Sequence, residues 1–348
     1  MSDPHVLFTT DVPLVSLAQA HHASRERYGV EGDITPLPGE RDANFYLCTE
    51  KQHGYMLKFI NPAEEPAVSD FQSALLLHIE QQHTDLPVPR VLADQHGNRA
   101  PVVDLAGQTL QTRLFSWLSG TPLHRVTPNP QLAQHLGQTL AQLDIALHSF
   151  THPAAERTLL WDITHMERVA GWLDYVEDPE QQILIKRGLS QWENSVAPVI
   201  HKLRRQVIHN DLNPYNVFTT PQADWQITGI IDFGDALYAP LINELATALA
   251  YQISESDDPL LWITPFVSAY HTHLPLTEQE VCLLPRLIVA RLTLILSITQ
   301  WRSALYPENR EYLRRNLHRA WRSLQNLSRF PLTQYEDRLL TTCRKGIQ

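Results

Sequence analysis

Cysteine is nearly absent: Cys48, Cys282 and Cys343 are the three in 348 residues, too few and too scattered to frame disulfides or a zinc site. They read as packing residues in a reducing compartment. Net positive charge is missing too. With 28 Lys and Arg against 38 Asp and Glu, the formal net charge is −10, which argues against nucleic acid as the main ligand, because phosphate backbones are bound by clustered cations. The same balance mildly favours a cationic substrate. Histidine is plentiful at 17, yet no His-Glu-x-x-His and no paired His/Cys spacing occurs. His21 and His22, like His271 and His273, read as surface or capping residues. No long apolar run is uninterrupted: the most apolar helical stretch, Leu283 to Trp301, carries Pro285, Arg286 and Arg291 and reads as a buried helix, not a membrane span. Met1 to Thr10 lacks a basic start followed by an apolar run, so no secretory leader is expected. These absences predict a soluble, cytoplasmic protein with neither nucleic acid nor membrane as partner, and they leave the oligomeric state open.

What is present suits two lobes. The chain is 43% hydrophobic and 19% charged, and at this length it can build two substantial cores. A first helix is expected to run to Tyr28-Gly29, with Asp11 as N-cap and Pro13 near the first turn. Strands follow at Ile34 to Leu37, Asn44 to Thr49 and Tyr55 to Ile60, separated by the turn 38–43 and by Gln52-His53-Gly54. In the third strand, a period of two puts Met56, Lys58 and Ile60 on one face and Leu57 and Phe59 on the other. A helix after Pro66 carries Phe71, Leu75 and Ile79 at spacing four and stops at Pro87-Val-Pro89. Two more strands, Arg99 to Leu105 and Thr109 to Leu118, complete an expected five-stranded sheet. Leu118-Ser-Gly-Thr-Pro-Leu123 then breaks the pattern, placing a boundary between domains 1–118 and 119–348. Beyond it, Asn129-Pro130 opens a helix with Leu136, Leu140, Leu143 and Leu147 on one face. A helical Asp162 to His201 region follows, and helices resume from Asn243.

The chemistry gathers in two words. The first, Val207-Ile-His-Asn-Asp-Leu-Asn-Pro-Tyr-Asn-Val217, sets Asp211 and Asn216 in a loop rich in turn residues between two β-forming pairs. The second, Gly229-Ile-Ile-Asp-Phe-Gly-Asp235, ends an apolar strand in acid. Taken singly, Asp211 and Asn216 read equally well as turn formers. Asp232 weakens that reading, because a carboxylate leaving a buried strand needs a partner, and a hard cation bound by oxygens supplies one.

His209-Asn-Asp-Leu-Asn-Pro-Tyr-Asn216 followed by Ile231-Asp-Phe-Gly234 resembles the catalytic and metal-binding pair of the aminoglycoside phosphotransferase and choline kinase superfamily, relatives of protein kinases. Gly39-Glu-Arg-Asp-Ala-Asn-Phe45, Leu57-Lys-Phe-Ile60 and 229–240 resemble its hydroxylysine kinase branch, over about Gly29 to Leu313. The resemblance implies an α+β, two-lobed, protein-kinase-like fold, a small antiparallel β lobe for nucleotide and a larger, mainly helical catalytic lobe. It implies Asp211 as the base that orients a substrate hydroxyl, Asn216 and Asp232 as Mg²⁺ ligands, and Lys58 on the α/β-phosphates of ATP or GTP. Gly39, Arg41 and Asn44 would belong to the turn covering the nucleotide, and Phe115 and Trp117 to the hinge touching its base. Two departures stand out: Gln72 occupies the position where kinases carry the Glu that holds this Lys, and no Gly-x-Gly-x-x-Gly word is present.

The expected acceptor is the hydroxyl of an amino acid or amino alcohol, hydroxylysine first, with homoserine, choline, ethanolamine or an aminoglycoside as alternatives. An amino acid needs an anion for its ammonium, for which Asp235, Glu244 and Asp162 are candidates, and a cation for its carboxylate, for which Arg41, Arg291 and Arg302 are. Eleven residues from Asp232 to Glu244, with no Ala-Pro-Glu word, leave no room for a protein kinase's activation segment. A non-catalytic nucleotide-binding pseudokinase would be expected to lack one of Lys58, Asp211, Asn216 and Asp232, and all four are present.

Overall fold

The computed structural model describes residues 11–345 apart from Glu40, Thr84 and Ala106. Met1 to Thr10, on which the expectation of no leader rests, lie outside those residues, as does Glu40 of the expected nucleotide turn. The chain forms two compact units. One comprises the described residues up to Gly120 together with His152–Glu156 and Thr228–Ile231; the other comprises Thr121–Thr151, Arg157–Ile227 and the chain from Asp232 onward.

The first unit is built on an antiparallel sheet of β1 (Asp33–Leu37), β2 (Ala43–Cys48), β3 (Gly54–Phe59), β4 (Val91–Leu92), β5 (Val102–Leu105) and β6 (Gln108–Ser116), in the order β1-β2-β3-β6-β4 with β5 also on β6. It has six strands where the sequence predicts five. The extra one, β4, is two residues long and follows Pro87-Val-Pro89, so it carries no alternation to read. Helix α1 (Leu17–Tyr28) starts at Ser16, not at Asp11: Ser16 and Gln19 close a reciprocal capping box, and Gly29 ends the helix at φ 66°. Ala20, Ala23 and Tyr28 of α1 share one core with Phe45, Leu57, Phe59, Leu110 and Leu114 of the sheet. That leaves Lys58 on the opposite face, as the period of two requires. Helix α2 (Pro66–Gln82) buries Phe71, Leu75 and Ile79 completely, each contributing about 1.5–3 kcal/mol of burial energy.

The second unit is mainly helical. Asn129 caps α3 (Pro130–Leu147) through Leu132 N–H, with Pro130 at its first position. Helix α3 packs on α6 (Ile263–His273) so closely that a Cβ on Gly137 would run into the Phe266 carbonyl. A 3-10 segment, Ile163–Tyr175, kinked at His165, precedes α4 (Pro179–Gln191). Helix α5 (Leu241–Ala250) follows the small strands, and α7 (Glu278–Leu305) starts in a Thr277–Glu280 capping box. The apolar window of α7 is 89% buried inside the protein. It is a core helix, despite having the length and composition to cross a membrane. Helices α8 (Leu317–Leu327) and α9 (Leu332–Lys345) pack against it.

Short strands position the loops of this unit. Strand β7 (Thr121–Pro122) pairs with β9 (Val217–Thr220), and β8 (Arg205–Ile208) pairs with β11 (Leu237–Pro240) in the register Ile208 to Leu237. Strand β10 (Gln226–Ile230), whose residues from Thr228 belong to the first unit, precedes Asp232.

Candidate active site

In the first unit, the register puts Asn44, Lys58 and Arg113 side by side on β2, β3 and β6. Lys58 Nζ lies 2.8 Å from Asp42 Oδ2, with the Lys side chain 21% exposed. The other Asp42 oxygen accepts from Asn61 N–H at 2.8 Å. Burial alone would raise the Asp42 carboxyl, but the Lys58 charge and hydrogen bond, then Asn61 N–H, outweigh it and hold the group below its ordinary value. Gln72 does not face Lys58: its Oε1 accepts from Arg113 Nη2 at 2.8 Å. Arg113, 1% exposed, also donates to Ser69 O at 3.1 Å and Ser73 Oγ at 3.4 Å and lies 3.6 Å from Glu64. Burial, then Asp42, pushes the Glu64 carboxyl up, against Arg113, Lys58 and Arg41.

The turn before β2 is tight. A Cβ on Gly39 would collide with the Asn44 amide and the Asp42 carbonyl, so only glycine fits there. Asn44 Oδ1 is buried without a hydrogen bond among the described residues, and the Arg41 carbonyl accepts from Asn61 Nδ2 at 2.9 Å. Phe115 is buried in the sheet beneath the Arg113 guanidinium, 5.7 Å away. Trp117, half-exposed just past β6, meets the Tyr46 ring at 4.5 Å, and its backbone N–H donates to Gly54 O at 3.1 Å.

In the second unit, β8 leads into the loop that carries Asp211. Glu244, fully buried on α5, accepts from Asn210 N–H at 3.0 Å, and His209 Nδ1 accepts from Asp211 N–H at 3.2 Å. His209 meets Phe233 edge to face at 4.6 Å. Both Asn210 and Asp232 adopt φ 65°, a left-handed conformation that Asn and Asp tolerate at lower cost than other side chains. Asp211 Oδ2 accepts from Asn213 Nδ2 and Asn216 Nδ2, each at 2.9 Å, while Arg291 Nη2 approaches Oδ1 at 3.5 Å. Three side chains therefore orient one carboxylate. Burial first, then the charges of Asp235 and Asp232, push its pKa up to about 8, against the opposing pull of Arg291 and Asn213.

Arg291 and Arg157 act from far along the chain. Arg291, 1% exposed on α7, donates to Trp161 O at 2.6 Å and lies over the Trp161 ring at 5.5 Å. Arg157 forks onto Gly234 O at 2.6 Å and Ala236 O at 2.7 Å, clamping the turn after Asp232. Sequence reading missed Arg157, since no motif contains it. The remaining substrate candidates are dispersed. Asp162 is buried as the cap of the 3-10 segment, accepting from Thr164 N–H at 2.8 Å. Arg302 is buried on α7 eleven residues beyond Arg291, about 16 Å along the axis. Asp235 is partly exposed in the Phe233–Asp235 turn.

The residues fit a hard divalent cation. Asn216 spends its amide nitrogen on Asp211 Oδ2 and O, which turns Oδ1 away from Asp211 as an oxygen donor. Asp232 contributes an exposed carboxylate whose Oδ1 accepts from Gly234 N–H at 3.3 Å. Beyond burial, the charges of Asp235 and Asp232 add to the rise of Asp211, and a divalent charge would relieve that part. Among the described residues no group of three or more His, Cys, Asp or Glu is poised for a metal. An Asn–Asp pair leaves the other positions for phosphate oxygens and water, the usual preference of Mg²⁺.

The model of the phosphotransferase enzyme family matches residues 33–279. The chain is 28% identical over 337 residues to the hydroxylysine kinase of Xenopus laevis, covering 90% of each. Among solved structures, a microcompartment-associated aminopropanol kinase superposes with a TM-score of 0.70 at 22% identity, over 93% of this chain and 100% of that one. An amicoumacin kinase in complex with AMP-PNP, Ca²⁺ and Ami gives 0.66 at 16%, over 92% and 97%. At these identities the two structures speak for the fold.

Proposed function

Since the chain belongs to the phosphotransferase enzyme family and is a small-molecule kinase that acts on a hydroxyl, we propose that it transfers the γ-phosphate of ATP or GTP to the hydroxyl of a hydroxylysine-like amino acid. The observation that carries the reading is the Asp211 carboxylate held by Asn213, Asn216 and Arg291 beside Asp232 and Asp235. Asp211 is the base: it accepts a hydrogen bond from the acceptor hydroxyl, orients its oxygen for attack and takes the proton as that oxygen bonds to the γ-phosphorus and the bond to the departing nucleoside diphosphate breaks. Because phosphoryl transfer passes through a loose transition state, orientation counts for more than deprotonation.

Nucleotide and divalent metal use go with the family; the metal we propose is Mg²⁺, held by Asn216 and Asp232. When bound it neutralises polyphosphate charge. Residues 1–118 form the nucleotide domain, in which Lys58 meets the phosphates, Gly39, Arg41 and Asn44 shape the turn over them, and Phe115 and Trp117 border the base. Residues 119–348 form the catalytic and acceptor domain. Asp235 is the favoured partner of the substrate ammonium, being partly exposed and close enough to Asp211 to raise it. Glu244 and Asp162, committed to backbone N–H groups, serve the scaffold. Arg291, turned to the Asp211 carboxylate at 3.5 Å, orients that group.

Nucleotide consumption with hydroxylysine, homoserine, choline, ethanolamine and aminoglycosides tests the proposal. Turnover fastest on hydroxylysine supports it, and faster turnover on another acceptor replaces the substrate. Silence on all of them, with no magnesium-nucleotide binding by calorimetry, would sink the enzymatic reading.

A further inference from the structure

We infer that Asp42, in the turn before β2, is the positioning residue for Lys58, doing from that turn what a helix carboxylate does in kinases that pair this lysine with a glutamate. The inference rests on the reading of Lys58 as the phosphate-contacting lysine. Its basis is the 2.8 Å ion pair between Lys58 Nζ and Asp42 Oδ2, formed while the other Asp42 oxygen is tied to Asn61 N–H at 2.8 Å. One carboxylate thus links the turn, the lysine and the residues after β3. Asp42 is 7% exposed, so solvent screens the pair little and its geometry is well defined.

The helix that would otherwise hold Lys58 is occupied. Gln72, at the position of the usual Glu, gives its Oε1 to Arg113 at 2.8 Å, and Ser69 and Ser73 of the same helix also take Arg113 hydrogen bonds. Arg113 is the cross-strand neighbour of Lys58. Two adjacent cations on one sheet face are therefore divided between two supports: Arg113 fastens α2 to the sheet, and Lys58 is fastened by the turn. Gly39 adds a constraint, since its lack of a Cβ lets the turn close on Asn44 and the Asp42 carbonyl. A second role for the same contact is logically available. Asp42 could be a cap that keeps phosphate off Lys58, in which case its removal would activate the enzyme. The Asn61 anchor favours positioning, because a cap that must leave would not be fixed from the far side.

The test is a double-mutant cycle read by steady-state kinetics and by calorimetric nucleotide binding. Asp42→Asn keeps an oxygen for Asn61 N–H while removing the charge, so the fold is expected to survive. Losing one charge-assisted contact is expected to cost about tenfold or more in kcat/KM for nucleotide, with weaker nucleotide binding. In the Lys58→Met background the same change is expected to alter these values less than about twofold, because Asp42 acts through the lysine. Equal losses in both backgrounds would mark Asp42 as merely structural, and a gain in activity would make it a cap; either overturns the inference. Adding Gln72→Glu to Asp42→Asn is expected not to restore binding, and a rescue would return the positioning role to α2. If Lys58→Met alone changes neither nucleotide binding nor turnover, the phosphate role of Lys58 fails first, a result separable from the others.

Discussion

The two units treat charge in opposite ways. In the first, Lys58 and Arg113 face Asp42 and Glu64, two cations against two carboxylates, with Gln72, Ser69 and Ser73 filling the remaining Arg113 donors. In the second, burial first and then the charges of Asp235 and Asp232 push Asp211 up, against the Arg291 guanidinium. The first network is balanced and holds a geometry. The second carries an excess of negative charge, which suits a partner from outside the chain. Buried charge serves as scaffold where cations and carboxylates balance, and a carboxylate excess suits a cation from outside.

Breaking each side of this contrast has distinct consequences. The largest effect is expected from Asp211→Asn, which leaves the shape of the loop but removes the base: kcat should fall by roughly 10²–10⁴ with nucleotide affinity nearly unchanged. Normal turnover in that variant would mean that another group orients the hydroxyl. On the balanced side, Arg113→Met should destabilise the protein by about 3–5 kcal/mol in urea unfolding, because it strands Glu64 in a buried site. A loss below about 1 kcal/mol would show that the network is dispensable to the fold.

The excess side should respond to ions. Added magnesium is expected to raise the unfolding temperature of the parent protein, by an amount equivalent to about 2–3 kcal/mol near a hundredfold excess over Kd. Asp232→Asn should abolish that response, and an undiminished response would move the metal elsewhere. The smallest effect concerns a third carboxyl, Asp144 on α3, fully buried with Oδ2 accepting from Tyr270 Oη–H at 2.6 Å. Burial, then the neighbouring Glu244, pushes it well above its ordinary value. A raised folded pKa means stability that is full below the unfolded carboxylate pKa and is lost as pH rises through the folded one. Asp144→Asn should therefore leave acid stability similar and raise the unfolding temperature by a few degrees at higher pH. Parallel pH profiles for the two proteins would contradict the assignment.

Much of the fold could be read because its signals are local. Alternation over Tyr55 to Ile60 located β3 and placed Lys58 on the face away from the α1 core, and spacing of four over Phe71, Leu75 and Ile79 located α2. Where the signal is short or shared, the reading slipped. β4 has two residues, and Asp11 competed with Ser16 as a cap, although Gln19 three residues after Ser16 already spelled a capping box. The loop 209–216 and the turn after Ile231 were legible as words, because the chemistry requires their residues at fixed spacing.

The sequence by itself determined the reaction class and the family, the course of most strands and helices, and the residue types at the centre of the candidate site. The strands and helices depend on neighbours within a few positions, and the site words on residues at fixed spacing. The tertiary structure decided who holds whom. Lys58 pairs with Asp42 and not with α2, Arg291 reaches Asp211 across 80 positions, and Arg157 clamps Gly234 across 77. Such pairings follow from strand register and helix packing, and a charged side chain settles on whichever opposite charge the buried geometry brings within reach.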